Sequence, residues 1–256
     1  MARHPVLFVG HGSPMNAIED NVWSRGHAAL AALVPRPRAI LAVSAHWESD
    51  GTFTTLDDPP PTIHDFGGFP AELYAMRYPA PGEPALARRA AALTGGSATD
   101  GRGLDHGTWS VLHRMFPAAD VPVAQLSLDV RLAPGEHLAL GRALLPLRDE
   151  GVLILGSGNL THDLRDAFSR MRRGDASTPD WAARFDADAA RALAARDEPW
   201  LVGALDTPDG RRAHPTAEHW LPILYAAGAA DARDAVSFPV MGFDLGSLSM
   251  RCVLFA

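Results

Sequence analysis

Histidine is the residue type in this sequence with the clearest capacity for chemistry, because 11 histidines occur among its 256 residues. Three of them follow short apolar runs that are typical of buried strands. His11 comes directly after residues 5–10, His46 directly after residues 39–45, and His162 a few residues after residues 151–155. Ligands of parallel sheets bind beyond the carboxyl ends of the strands, so these three imidazoles are predicted to meet in one crevice.

A fourth imidazole is predicted from the segment His-Pro-Thr-Ala-Glu-His at residues 214–219. Pro215 suits the first position of a helix, which leaves His214 near the helix cap and His219 in the second turn. Five residues along a helix correspond to a rotation of about 140°, so only one of the two rings can face a given metal. We favour His219 as the ligand, with Glu218 as a hydrogen-bond partner for a ligating ring.

Clustered imidazoles favour Zn, Fe, Cu or Ni over Mg or Ca, which prefer oxygen ligands. An isolated histidine is more often a surface or core residue than a ligand, and His4, His27, His113 and His137 are predicted to be structural. His64 lies in a loop rich in Pro, Asp and Gly at residues 56–70, and His106 is predicted to open a helix. Either of these two rings can line a pocket or cap a turn.

Charge and composition exclude several classes of protein. All 23 basic residues are arginines, which rules out Schiff-base lysine chemistry and a Walker-type P-loop. The net charge of −7, without a basic cluster, argues against a nucleic-acid partner. No run of about 18 apolar residues is present, so no membrane span is predicted. The single cysteine, Cys252, is predicted to be a buried small hydrophobe and is consistent with a cytoplasmic location. A small-molecule partner is therefore favoured.

The elements that must position the histidines alternate between strands and helices along the chain. This alternation predicts a single α/β domain, spanning residues 1–256, with a central, largely parallel mixed sheet flanked by helices. Residues 56–70 are predicted to form a long ordered loop or lid. The predicted strands are residues 5–10, 39–45, 121–128, 151–155, 236–240 and 249–255, and the predicted helices are residues 22–33, 83–93, 135–148, 180–196 and 215–227.

Six local motifs occur in order over nearly the whole chain. They begin at His11 (His-Gly-Ser-Pro-Met-Asn), Ser44 (Ser-Ala-His-Trp), His64 (His-Asp-Phe-Gly-Gly-Phe-Pro), Leu104 (Leu-Asp-His-Gly-Thr-Trp), Gly156 (Gly-Ser-Gly-Asn-Leu-Thr-His) and His214 (His-Pro-Thr-Ala-Glu-His). Together they resemble the DODA-type class III extradiol ring-cleavage dioxygenases of the LigB-like superfamily. The resemblance implies an enzyme that inserts O2 into the ring of a catechol-type, DOPA-like substrate.

The resemblance also implies roles for individual residues. It implies one divalent metal ion held by His11, His46 and His219, with His162 beside it as a catalytic acid/base or a further ligand. His106 matches a position that contacts substrate and contributes to catalysis, and His64 matches a substrate-binding position in the loop over the site. Relatives elsewhere in the superfamily use two histidines and one carboxylate, whereas the third ligand position here is His219. Three neutral imidazoles suit Zn(II) as well as Fe(II), so both metals are retained.

Two alternatives to the oxygenase use the same histidines. A zinc hydrolase would lower the pKa of a metal-bound water to about 7, with Glu218 or His162 as general base. A metal-binding protein without catalysis would close the site with four ligands, whereas the glycine-rich surroundings and the long loop favour an accessible site. A serine nucleophile at Ser13 or Ser157 is disfavoured, because no nucleophile-elbow motif surrounds either residue. The oligomeric state is left open by the sequence.

Overall fold

The computed structural model describes residues 3–256, and its centre is a sheet of eight strands. The strands are β1 Val6–Gly10, β2 Ala39–Ser49, β3 Phe53–Thr55, β4 Ser97–Thr99, β5 Val123–Asp129, β6 Val152–Gly158, β7 Val236–Ser237 and β10 Val253–Phe255, and a separate hairpin pairs β8 Phe243–Asp244 with β9 Leu248–Ser249. The helices are α1 Val22–Leu30, α2 Ala71–Ala75, α3 Pro84–Thr94, α4 His106–Met115, α5 Pro134–Leu144, α6 Pro146–Asp149, α7 Leu164–Arg173, α8 Asp180–Ala195, α9 Glu198–Gly203, α10 Pro208–Ala213 and α11 Leu221–Ala229.

The strand order across the sheet is β4-β3-β5-β2-β6-β1-β10-β7. The four central strands are parallel, because β2 pairs in parallel with both β5 and β6, and β6 pairs in parallel with β1. β10 pairs antiparallel with both β1 and β7, β3 pairs antiparallel with β5, and the edge strand β4 pairs in parallel with β3. The prediction of one α/β domain with a largely parallel mixed sheet is confirmed.

Two hydrophobic cores, one on each face of the sheet, hold the helices in place. Alternate residues of β1 belong to different cores, since Val6 and Phe8 pack in one and Leu7 and Val9 in the other. All four are almost completely buried, as expected for a central parallel strand covered on both faces. The carboxyl ends of the central strands are therefore the part of the sheet where an open cavity can form.

One predicted helix is wrong at its beginning. Residues 215–219 form turns, and α11 begins at Leu221 with Pro222 in its first turn. A helix running from Pro215 would place Pro222 in its interior, where the ring lacks an N–H and collides with the preceding turn. His214 is consequently the C-cap residue of α10, and His219 lies in the loop before α11 instead of in a second helical turn.

Other predicted boundaries differ for similar reasons. Pro146 divides the predicted helix 135–148 into α5 and α6. The predicted strand 236–240 ends at Ser237, two residues before Pro239, because proline has no N–H to donate to a neighbouring strand. The predicted strand 249–255 is interrupted after Ser249 and resumes at Val253. Helix α1 ends at Leu30 and continues as a 3-10 turn. The elements absent from the prediction are β3, β4, β8, α2, α7, α9 and α10.

The loop at residues 56–70 contains no helix or strand, as predicted, and is tied down by the bridge between Thr62 and Leu104. His106 opens α4, also as predicted, and the carboxylate of Asp105 caps that helix by accepting from the Thr108 N–H. Among residues 3–256, no helix has the length and apolar character that crossing a membrane requires.

Close packing of α5 against α11 depends on a glycine, and this contact gives a stability prediction. A Cβ at Gly141 would lie 2.5 Å from the Tyr225 carbonyl oxygen and 2.8 Å from its Cα. We expect Gly141→Ala to lower the free energy of unfolding by about 1–3 kcal/mol through overpacking, although alanine favours a helix interior by up to about 1 kcal/mol. Chemical denaturation measures the change.

The matched control is Gly203→Ala in α9, where an added Cβ meets nothing within 4 Å. This control is expected to be neutral or slightly stabilising. If Gly141→Ala were as stable as Gly203→Ala, α5 and α11 would not be in the close contact described here.

Candidate metal centre

Five histidines line one cavity of about 1050 Å³ beyond the carboxyl ends of the central strands. They are His11, His46, His106, His162 and His219. Ligand nitrogens of His11, His46 and His106 lie within 4.8 Å of one another, and those of His162 and His219 lie equally close to a carboxylate oxygen of Glu218. The convergence expected for His11, His46 and His162 is therefore present, and His106 and His219 join them.

His11 is positioned by the end of β1 and by its neighbour β6. The backbone N–H of His11 donates to the Gly158 carbonyl at 3.0 Å, which extends the pairing of β1 with β6 by one residue. On the ring, Nδ1 lies 3.0 Å from the Ser157 hydroxyl, and Nε2 lies 3.1 Å from Nε2 of His46. The strand end thus directs Nε2 of His11 into the cavity.

His46 lies inside β2, not beyond it, because β2 continues to Ser49. The pairing of β2 with β5 shifts register between Val43 and Glu48, so the strand is irregular where His46 occurs. Such irregularities re-aim side chains next to active sites. The prediction that the strand ends before His46 is wrong, but the irregular segment still turns the ring towards His11.

His219 is held by backbone contacts with the end of β6. The Asn159 N–H donates to the His219 carbonyl at 3.0 Å, and a Cβ on Gly158 would lie 2.3 Å from that carbonyl oxygen. On the ring, Nδ1 lies 2.9 Å from Oε1 of Glu218, while Nε2 is buried and has no hydrogen-bond partner among the described residues. Glycine at position 158 is required for this approach.

Ser157 determines which nitrogen of His11 carries the proton. Its hydroxyl is 2.6 Å from the Gly107 carbonyl, which can only accept, so the single hydroxyl proton is donated there. The Ser157 oxygen must then accept from Nδ1–H of His11 at 3.0 Å. Nε2 of His11 is left with its lone pair facing the cavity, which is the form that binds a metal.

Carboxylates orient two further rings in the same way. His219 Nδ1–H donates to Glu218, and His106 Nδ1–H donates to Oδ2 of Asp65 at 2.9 Å, while Oδ1 of Asp65 accepts from the His106 backbone N–H. Oδ2 of Asp65 also lies 3.5 Å from Nδ1 of His46. In the neutral ring of His106 or His219 the lone pair is then on Nε2.

Burial keeps the imidazoles of His11, His46, His162 and His219 neutral at physiological pH. Burial, followed by the charges of neighbouring histidines, holds the pKa values of His11 and His219 well below the ordinary value of 6.5. The same causes lower the pKa of His46 to about 3, and burial together with His214 and His106 lowers that of His162 to about 3. Burial opposes ionisation of Asp65, but the hydrogen bond and charge of His106 lower its pKa to about 2. Neutral rings with oriented lone pairs are what a metal ion requires.

The spacing of three rings fits a single metal ion. The ring centroids of His11, His46 and His219 form a nearly equilateral triangle with sides of 5.0, 5.0 and 5.3 Å. A metal ion bound about 2.0–2.1 Å from a ring nitrogen lies roughly 3.2 Å from the centroid of that ring. Two rings bound to such an ion at the tetrahedral angle therefore have centroids roughly 5.2 Å apart. The orphaned Nε2 of His219 and the facing nitrogens of His11 and His46 are therefore well suited to hold a metal.

The remaining predicted residues have distinct surroundings. The ring of His162 is stacked on that of His219, with centroids 3.4 Å apart and planes 7° apart. His64 does not line the cavity; its Nε2 donates to the Met76 carbonyl, and its ring packs edge-on against Phe66, which does. His214 is buried against the Leu160 carbonyl, away from the cavity.

Sequence reasoning missed two residues that support the site, Asp65 and Ser157. Asp65 follows His64 in a motif where the histidine attracted attention, although an acidic neighbour is the usual partner of a ligating ring. Ser157 was considered as a nucleophile, whereas the structure uses its hydroxyl to orient His11. His27 and His137 are buried structural histidines, as predicted, with Gly10 and Tyr225 as partners.

The fold and the cluster together define an α/β metalloenzyme with one open, histidine-lined cavity. Comparison with known proteins identifies the family within this class. Residues 5–243 match the family described as the catalytic LigB subunit of aromatic ring-opening dioxygenase. The chain belongs to this family of aromatic ring-opening dioxygenases, and the zinc-hydrolase alternative is not favoured.

Individual relatives agree with this assignment. The chain is 45% identical to a 4,5-DOPA dioxygenase extradiol of Escherichia coli K12, over 98% of this chain and 94% of the relative. It is 41% identical to a protein of the same name from Beta vulgaris, over 95% of this chain and 93% of the relative. A crystal structure of an uncharacterised protein from Escherichia coli K12 has a TM-score of 0.85 and 40% identity, and the match covers 99% of this chain and all of the other.

The hydrogen bond from His11 to Ser157 gives a prediction about metal affinity. We expect Ser157→Ala to weaken metal binding by about 10- to 100-fold, because His11 loses the group that keeps its proton on Nδ1. Competition with a chromophoric chelator measures the affinity. Ser127→Ala is the matched control, since Ser127 is equally buried and hydrogen-bonded on β5 but does not line the cavity. Equal affinities of the two variants would contradict the role assigned to Ser157.

Proposed function

We propose that residues 1–256 form one extradiol dioxygenase domain that opens the ring of a DOPA-like catechol with O2. In this proposal His11, His46 and His219 hold one divalent metal ion. The observation that carries the proposal is the triangle formed by these three rings, in which Nε2 of His11 lies 3.1 Å from Nε2 of His46 and Nε2 of His219 has no hydrogen-bond partner among the described residues. The names of the relatives, which are 4,5-DOPA dioxygenases, support the substrate class.

We propose Fe(II) as the metal for oxygenase activity, although imidazoles also suit Zn(II). Iron would supply a redox-active centre able to bring a catechol and O2 together, whereas zinc has no redox chemistry. The lone cysteine, Cys252, is free and buried, so it does not compete as a ligand. It also agrees with the proposed cytoplasmic location, where thiols stay reduced.

His162 is proposed as the acid/base of the reaction. Its ring forms one wall of the cavity and is neutral, so it can accept a proton from a catechol hydroxyl as the substrate binds. Burial lowers the pKa of His162 to about 3, so the ring is unprotonated before the substrate binds. An anionic catecholate beside the ring would favour the protonated imidazole, which can then return the proton later in turnover.

His106 is proposed to hydrogen-bond a substrate hydroxyl. Its Nδ1–H is committed to Asp65, so Nε2 is an acceptor directed at the cavity. The aromatic rings of Phe66 and Phe69 line the same cavity and provide apolar surface for a catechol ring. His64 packs behind Phe66, so its predicted influence on substrate would act through that ring.

The experiment that tests the proposed function combines metal loading with an oxygen assay. Protein loaded anaerobically with Fe(II) is expected to consume one O2 per catechol and to form a yellow ring-opened product when L-DOPA or a simpler catechol is added in air. The same protein loaded with Zn(II) is the control and is expected to consume none. No oxygen uptake across a panel of catechols would refute the proposal.

A further inference from the structure

The charges that line the cavity are all of one sign. Five lining residues carry carboxylates and none is an arginine, in a chain that contains no lysine. Asp65 and Glu218 are engaged by His106 and His219. The other three, Glu19, Glu48 and Asp244, form no ion pair among residues 3–256; we call them the acidic mouth.

Arg102 and Arg114 contact the wall of the cavity through backbone oxygens. Arg102 donates to the His46 carbonyl at 2.7 Å, and Arg114 donates to the carbonyls of Asn16 and Glu19, both at 2.7 Å. Neither arginine lines the cavity. Both guanidinium groups are engaged by backbone oxygens, and no arginine is among the residues that line the cavity.

Apolar side chains connect the histidine centre to solvent. Leu164, Phe168 and Met171 of α7 line the cavity with a spacing of four and three residues, which puts them on one face of the helix. Phe168 and Met171 nevertheless remain 42% and 53% exposed. Exposed apolar residues grouped beside a cavity are typical of a ligand-binding surface, and the buried, unpartnered Nε2 of His219 marks the inner end of the same cavity.

The position of Asp244 depends on an unusual turn. Leu245 has φ of 48° and Gly246 has φ of 79°, so two successive residues of the β8–β9 hairpin are left-handed. This conformation is uncommon for leucine, and such outliers concentrate at functional sites. The carboxylate of Asp244 accepts from the Leu245 N–H at 3.0 Å, which holds it at this turn.

We propose that the acidic mouth favours catechols whose side chain carries an ammonium group, as a DOPA-like side chain does, over catechols whose side chain carries only a carboxylate. This inference rests on the proposed function and specifies its substrate class. The histidine centre binds the catechol end, and the apolar face of α7 packs against the ring and its arm. An ammonium group at the mouth is attracted by the three carboxylates, whereas a carboxylate is repelled by them and has no arginine to pair with.

The test compares catechols that differ mainly in the charge of a short side chain: dopamine, ethylcatechol and dihydrocaffeate. We expect kcat/KM to fall in that order, with a ratio of dopamine to dihydrocaffeate of at least about 10. Raising the ionic strength from about 0.01 M to about 1 M shortens the Debye length from about 30 Å to about 3 Å and should reduce this ratio. Asp244→Asn and Glu48→Gln should each reduce it at low salt.

The matched control is Asp188→Asn, which removes the same charge from α8, where Asp188 pairs with Arg191 and does not line the cavity. This variant should keep the ratio of the wild type. A second readout is binding: tyramine and phloretate lack the second hydroxyl, and their dissociation constants for the metal-loaded protein should favour tyramine.

Each outcome bears on one of the two proposals. If ethylcatechol is cleaved but dopamine and dihydrocaffeate have equal kcat/KM, the charge selection is wrong and the proposed function stands. If no catechol supports O2 uptake by the Fe(II)-loaded protein, the proposed function fails. The charge selection is then decided by whether tyramine has a lower dissociation constant than phloretate. The charge selection would also be overturned if Asp188→Asn changed the ratio of dopamine to dihydrocaffeate kcat/KM as much as Asp244→Asn does.

Discussion

Replacement of His11, His46 or His219 by alanine, one at a time, is expected to remove the metal ion and abolish oxygen uptake. In the proposed centre each ring contributes one nitrogen, and Nε2 of His219 has no hydrogen-bond partner among the described residues. Loss of a residue that merely orients a ligand costs about 10- to 100-fold in affinity, so loss of a ligand should cost more than about 100-fold. Metal analysis of the purified variants and an oxygen electrode measure both effects.

The control for these variants is His113→Ala, which removes a half-buried histidine of α4 that does not line the cavity. A variant that retained stoichiometric metal would remove its residue from the ligand set. His106→Ala then becomes decisive, because its ring lies 3.9 Å from that of His46 and its nitrogen is grouped with those of His11 and His46. Loss of metal in His106→Ala, with retention in His219→Ala, would show that His106 and not His219 is the third ligand beside His11 and His46.

His162→Ala is expected to keep the metal and to bind catechol while turnover falls by about 10²- to 10⁴-fold, the usual contribution of a positioned proton-transfer group. The geometry favours this outcome, because the ring of His162 is stacked flat on that of His219 instead of completing the triangle. Single-turnover kinetics of the Fe(II)-loaded variant separate the chemical step from binding.

Metal titrations of wild type and His162→Ala, each with and without a catechol, distinguish an acid/base from a fourth ligand. If His162 is an acid/base, His162→Ala has the metal affinity of the wild type in both conditions. If His162 is a ligand that the substrate displaces, the variant has a lower metal affinity only in the absence of catechol. An equal loss of metal affinity in both conditions would contradict the acid/base assignment. His214→Ala is a useful control for the loss of a neighbouring ring, since His214 lies outside the cavity.

The elements that the sequence predicted well are those whose pattern is local. β1 and β6 are continuous apolar runs, and their residues are almost completely buried, as a strand covered on both faces requires. The start of α4 at His106 was predicted correctly, and the structure shows that the carboxylate of Asp105 caps this helix. Prolines were the main source of error, because Pro146 and Pro222 end or begin helices inside segments whose composition alone is helical.

The edge of the sheet was less predictable for a physical reason. β3 and β4 contain three residues each, and such short strands carry too few residues for a period to be detected. Their pairing depends on neighbours that are distant in sequence, as when Thr54 of β3 meets Leu126 of β5. The helix α7 was not predicted either. Only Ala167 of this helix is buried, and its apolar residues Leu164, Phe168 and Met171 are exposed.

The sequence by itself determined the chemistry that this chain can carry: imidazole ligands, no lysine, and histidines placed near the ends of predicted strands. Six ordered motifs were sufficient to indicate the family. Only the tertiary structure decided which nitrogen of His11 and of His106 is free, because that depends on Ser157 and Asp65 meeting these two rings across the fold. Hydrogen bonds of this kind require distances below about 3.2 Å between side chains from different elements, and no pattern along one chain specifies such distances.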